Sequence, residues 1–169
     1  VDDKYKSEVQ VRVLRLNCIN IHYKNLWEQF YNYKFNNVKW SIDDKRLSNF
    51  NNLSKEYKIQ NALLNYYERR IALIELDVII SMVLGISFES LSLMYTSQFP
   101  VLIQNENDTW YDQKGNIVFT CSKGLTGVGV DRPVWNSIKD LKDGKTYEHS
   151  IEKSELYHGE KVTYYAPFE

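Results

Sequence analysis

"ALLNYYERRIALIELDVIISMVLG" (Ala62 to Gly85) decides the fold. It is rich in strong helix formers and has no internal Gly or Pro. It therefore reads as one long helix running from about Lys55 to Leu84, with Gly85 as its C-terminal stop. From Ile71 onward the run is apolar almost all round, the pattern of a buried central helix. Asp77 stands inside that run. On a helical wheel Tyr66, Arg70, Asp77 and Ser81 share a stripe. A carboxylate buried there needs a partner, because burying it alone is expensive. The expected arrangement is a structural ion pair, with Arg70 as first candidate and Arg12, Arg15 and Arg69 as alternatives. A catalytic acid with a perturbed pKa is the rival reading, but no second carboxylate or base is spaced to join it.

Outward from this helix, Ser87 caps a second one, "FESLSLMYTSQF", which Pro100 closes. Helix, "LGIS", helix has the outline of a helix-turn-helix. The second helix carries Glu89 and neither Lys nor Arg, so it reads as core and not as a DNA-reading helix. Upstream, "SEVQVRVLRLNCI" (Ser7 to Ile19) fits a strand, or a helix with Val11, Leu14 and Cys18 on one face. "NLWEQFYNYKF" (Asn25 to Phe35) fits a short helix presenting Leu26, Phe30 and Tyr33. Residues 36–54 are Asn- and Ser-rich and read as loop, with Trp40 as an anchor. The last third reads as β-containing, with a short helix near Pro133 to Leu141. The expected fold is α+β: a mainly helical subdomain over 1–100 and a small β-rich subdomain over 101–169. The chain opens at Val1 and closes on "YYAPFE", and it is expected to be a fragment of a larger protein.

Charge is distributed unevenly. Residues 1–70 carry 13 Lys and Arg against 8 Asp and Glu; residues 71–113 carry none against 6. Contact with phosphate is therefore sought in the first segment, where Arg12 and Arg15 are candidates. Aromatic residues from Trp27 to Trp40 are interleaved with Lys24, Lys34 and Lys39, a mix that suits base stacking or a packed aromatic core. Lysine greatly outnumbers arginine, and Asn, Ile and Tyr are abundant, which reflects AT-rich coding before function.

"TWYDQKGNIVFTCSKGLTGVG" (Thr109 to Gly129) holds three of the seven glycines within six residues. "WYDQKGNIVFT" is a β-hairpin with Gly115 or Asn116 at the turn. Asp112 and Lys114, with Asp108, also resemble the acidic and basic set of a metal-dependent nuclease. "GLTGVG" has the order GxxGxG, which is neither the dinucleotide fingerprint nor a phosphate-binding Walker loop. A glycine loop can turn its N–H groups to a phosphate, so Lys123, Gly124, Gly127, Gly129 and Arg132 complete the DNA-contact candidates. Cys18, Cys121 and the three histidines have no metal-ligand spacing, so no metal is expected. Two free thiols and no basic-apolar leader fit a cytoplasmic protein, and the Val78–Phe88 apolar run is too short to span a bilayer.

"RLNCINIHYKNLW", "YERRIALIELDVIISMVLGIS", "LSLMYTSQFPVL" and "TWYDQKGNIVFTCSKGLTGVG" together resemble the C-terminal region of large bacterial restriction–modification proteins. These are type IIG-like proteins with an adenine-specific DNA methyltransferase core. The resemblance covers about Val11 to Gly129 and, more loosely, "YYAPFE". The family's Asn/Asp-Pro-Pro-Tyr/Phe motif has no counterpart, since Pro100, Pro133 and Pro167 stand apart from one another. The resemblance thus implies a non-catalytic accessory or DNA-contacting domain, with the rest of the parent methyltransferase as partner and DNA as a further candidate. It implies S-adenosylmethionine for the parent and no cofactor for this chain. A protein-binding scaffold that never touches DNA, or a small nuclease, are the alternatives.

Overall fold

The computed structural model describes residues 3–121, 128–152 and 158–169. They form helices α1 (Asp3–Asn17), α2 (Lys24–Phe30), α3 (Tyr66–Val83), α4 (Phe88–Gln98), α5 (Pro100–Asn107) and α6 (Arg132–Ile138). The strands are β1 (Trp110–Tyr111), β2 (Ile117–Phe119), β3 (Thr146–Ser150) and β4 (Lys161–Tyr165). β1 pairs with β2 and β3 with β4, both antiparallel, so the fold is α+β. The chain divides into two compact units, Val1–Leu93 and Met94–Glu169. The division falls inside α4, ahead of the expected boundary at residue 100. The end of α4 belongs with α5 because the Tyr95 hydroxyl donates to Glu106 at 2.6 Å.

In the first unit the conspicuous helix is shorter than its composition suggests. It starts at Tyr66, not near Lys55, because the Asn65 side chain accepts the Glu68 amide at 2.7 Å and caps it. Residues before the cap are held by α1 instead. Leu63 N donates to Arg15 O at 2.9 Å, and Ile59–Asn61 form a 3₁₀ turn. The Ser7–Ile19 ambiguity resolves to helix. Val11, Leu14 and Cys18 are buried together while Val13 is exposed, which is a period of 3.6 and not of 2. In α2 the buried residue is Trp27, and the expected face of Leu26, Phe30 and Tyr33 lies exposed. Trp27 Nε1 donates to Ser54 O at 2.9 Å, which spends its polar edge inside the core.

α1 and α3 run antiparallel, since Arg12 meets Glu75 while Arg69 reaches Leu16. The inner stripe of α3 is Glu68, Ala72 and Glu75, all buried. This corrects two expectations. α3 is not buried all round: Leu73, Ile80 and Leu84 are exposed, Leu84 at 67%. Asp77 is also exposed, so burial does not force it to pair with Arg70, which is half-buried. The buried ion pair exists, but Glu75 and Arg12 make it.

The second unit is organised by Trp135, which stacks on Phe119 at 5.3 Å and tilts against Trp110 and Phe168. Pro100 ends α4 and also opens α5, a helix absent from the sequence reading. The C-terminal segment closes the unit: Tyr111 and Glu169 exchange backbone hydrogen bonds at 2.7 and 3.0 Å.

Replacing Glu75 by Gln should destabilise the first unit by about 3 kcal/mol, because it leaves Arg12 buried without its inner counter-charge. Asp77→Asn should change stability by less than about 0.5 kcal/mol. Urea unfolding of the two variants reads the difference.

Candidate functional site

Arg12 and Arg15 lie one turn apart on the inner face of α1, 2% and 0% exposed. Arg12 uses all three of its nitrogens. Nε donates to Glu75 Oε2 at 2.8 Å, Nη1 to Glu8 Oε2 at 2.7 Å, and Nη2 to Lys39 O at 2.9 Å. Glu75 Oε1 accepts the Ser41 amide at 2.7 Å. Arg15 donates to Asn61 O at 2.9 Å and Ser48 Oγ at 2.5 Å, and its guanidinium lies 4.8 Å from the Phe50 ring centre. Glu68 accepts the Ser48 amide. Burial lowers Arg15 to about 10, with Glu68 opposing the shift, so it stays charged at neutral pH. Arg12 therefore has no nitrogen left for a DNA phosphate, and Arg15, whose Nη1 lacks a hydrogen-bond partner, is fully enclosed and out of reach of one. They order the 36–54 loop instead, and their assignment as DNA contacts is corrected on that ground.

The glycine-loop candidates separate. Lys123, Gly124 and Gly127 fall outside the described residues. Gly129 has φ of +71°, and a Cβ built there would lie 2.6 Å from the Val118 carbonyl oxygen. Its glycine permits a close approach of backbone to β2, where Val130 N donates to Val118 O at 2.7 Å. Arg132 is exposed, and its guanidinium rests 4.7 Å from the centre of the Phe119 ring.

Asp112 is fully buried. Its Oδ1 accepts the amides of Lys114 and Asn116, at 2.9 and 2.8 Å. Its Oδ2 accepts Asn116 Nδ2 at 3.1 Å and the Tyr165 amide at 3.3 Å. Both oxygens are filled by donors of the hairpin and of β4. Lys114 sits over the Tyr165 ring at 3.7 Å. This pair builds the turn, with Gly115 at φ +80° as expected, and is not disposed to hold a catalytic metal.

A different surface stands out in the first unit. Along α3 and the start of α4, Leu73, Ile80, Leu84, Phe88 and Leu93 are exposed, Phe88 at 78%. Of the core expected of the second helix, Leu93, Met94 and Phe99 are exposed and Leu91 and Tyr95 half-buried, and no residue of α4 is buried. Residues 71–113 contribute no Lys or Arg to this surface. On the flank of α3 facing α1 lies a trough of about 370 Å³. Ile74, Val78 and Met82 form one wall, Tyr5 and Glu8 the other, and Trp40 and Ser41 close one end. Sequence reasoning missed this surface because exposed and buried apolar helices share one composition. No family model, curated protein or solved structure matches the chain.

Beside this network Arg46 grips Asp44, with Nε 3.0 Å from Oδ1 and Nη2 2.6 Å from Oδ2. The Arg46 hydrogen bonds lower the Asp44 carboxyl to about 2. In the unfolded chain it titrates near about 3.9. The pair therefore stabilises fully above about pH 4, and its contribution is lost as pH falls through about 2. Asp44→Asn should remove about 1–2 kcal/mol at pH 7 and flatten the acid limb of the stability profile in that window. Separately, Gly129→Ala should cost about 2–3 kcal/mol through the left-handed φ and the carbonyl clash, read as a lowered melting temperature.

Proposed function

We propose that this chain is a non-catalytic docking domain of a larger bacterial DNA-modifying enzyme. One observation carries the docking part: α3 and the first half of α4 expose eight large apolar side chains within 21 residues, with no cation among them. Single exposed apolar residues are ordinary on a soluble protein. So many on two successive helices, with no cation beside them, fit a surface that another protein covers. The enzyme class comes from the resemblance to type IIG-like restriction–modification proteins, whose methyltransferase core would supply the covering surface and use S-adenosylmethionine. In this reading the domain works in the cytoplasm. Among the described residues no helix is long and apolar enough to cross a membrane.

Of the described candidates only Arg132 keeps an exposed guanidinium, and Phe119 lies beneath it. The domain would then serve DNA modification by holding other parts in place.

The test begins with the reading frame on both sides of this chain. An Asn-Pro-Pro-Tyr motif upstream in the same frame is expected. The flanking polypeptide, expressed separately, should co-elute with this chain. Ile80→Lys with Leu84→Lys should abolish co-elution while shifting stability by less than about 1 kcal/mol, since both side chains are exposed. A frame without that motif removes the enzyme class. Co-elution indifferent to the two lysines removes the docking face.

A further inference from the structure

We infer that α4 opens and closes on its own in the free chain, while α3 and the β1–β2 hairpin stay folded. The inference goes beyond the docking reading above, and only its consequence for binding rests on that reading.

The limits of α4 are written into the sequence. Ser87 Oγ accepts the Ser90 amide at 3.2 Å and caps the first turn. Glu89 stands in that turn, where the helix dipole favours a negative charge. At the far end the Phe99 amide donates to Tyr95 O at 3.0 Å, and Pro100, which has no amide hydrogen, stops the run.

What α4 lacks is a core to hold it. From Met82 to Trp110 no residue is buried, so neither α4 nor α5 places a side chain inside the protein. α3 differs: Glu68, Ala72, Glu75 and Ser81 are buried, and Arg12 ties it to α1. Most of the stability of a protein helix comes from packing one of its faces, and a helix of eleven residues is marginal in water without it. Composition does not make up the difference. Ser90, Ser92, Thr96 and Ser97 are weak helix formers. With no Lys or Arg in residues 71–113, no Glu–Lys pair one turn apart can brace the helix. Phe88, Leu93 and Met94 are exposed in the closed helix already, so opening it brings little further apolar surface into water.

Both ends of the segment are anchored. Ser81 is buried in α3, and past α4 the Thr109 hydroxyl donates to Asn105 O at 2.7 Å, with Cys121 Sγ 2.9 Å from Asn105 Oδ1. The Tyr95–Glu106 hydrogen bond opposes opening, but one such bond adds little net stability. Local opening costs least where few contacts are buried, and α4 lies at that end of the range. A partner that covers α4 must also close it. The helix propensity of α4 then sets part of the affinity, with no contact altered.

The experiment is hydrogen–deuterium exchange on the whole chain, read by mass spectrometry. Amides of α4 should exchange within about tenfold of the rate of an unstructured peptide, and those of residues 72–76 at least about a thousandfold more slowly. Ser92→Pro, which breaks the helix interior, should move the urea midpoint by less than about 0.3 M. Protection of α4 equal to that of α3, or a larger loss of midpoint, would overturn the proposal. Thr96→Ala with Ser97→Ala should slow exchange in α4 by about threefold and tighten binding of the flanking polypeptide by a similar factor. Exchange that slows while binding stays the same would overturn the coupling to docking. A flanking polypeptide that does not bind at all removes the docking reading and the coupling with it, while exchange in the free chain still decides whether α4 opens.

Discussion

Arg12 is the charge on which the first unit turns. It is buried on α1 and reaches a carboxylate on its own helix, a carboxylate on α3 and a carbonyl at Lys39. Bringing a guanidinium out of water is costly, and so is bringing in Glu75, so each is tolerable inside only with the other. That mutual requirement fixes how α1 and α3 face each other more narrowly than leucines would, since apolar surfaces slide and hydrogen bonds do not. The same carboxylates then reach beyond the helices. Glu75 holds the Ser41 amide and Glu68 the Ser48 amide. A long segment without helix or strand, of a length that compact domains seldom leave unsupported, thus takes its path from two acidic side chains on a neighbouring helix.

α3 shows what a sequence can reveal of this and what it cannot. The helix itself was legible in its propensities and its terminating glycine, as were the hairpin around Gly115, the loop anchored by Trp40 and the α+β class. The need for a buried arginine–carboxylate pair was legible too, because a carboxylate among apolar neighbours demands one. The choice of carboxylate was not. Asp77 and Glu75 are two positions apart, about 200° around the helix, so one faces α1 when the other faces away. Which one turns inward depends on where α1 docks, and that is a tertiary fact. The outcome is a helix with Glu68 and Glu75 inside and Leu73 and Ile80 outside, opposite to ordinary amphipathic patterning at those positions.

The candidate site follows from that inversion. A run of leucine, isoleucine and phenylalanine says that a surface is to be covered, but not whose atoms cover it. Read as belonging to the chain's own core, Ile71 to Phe99 predicts a buried helical centre. In the folded unit Glu68 and Glu75 share the inner face of α3 with Ala72, Leu76 packs against the core, and Leu73, Ile80 and Leu84 are exposed. The basic excess of residues 1–70 misled in the complementary way: Arg12 and Arg15 belong to the count of cations, but the fold spends them internally. Gly129 likewise looks like part of a phosphate cradle in the sequence, and only the nearness of the Val118 carbonyl gives it another role.

Asp112 makes the second unit depend on the order in which the chain is made. Its hairpin partners lie within four residues, but the Tyr165 amide lies 53 residues later, and Tyr111 awaits Glu169. As the chain emerges from the ribosome, β1 and its turn come out long before the strand that seals them. Until β4 appears, one edge of this aspartate and one edge of β1 face only water. The hairpin's own bonds are local, but the unit can close only after Tyr165 and Glu169 have been made.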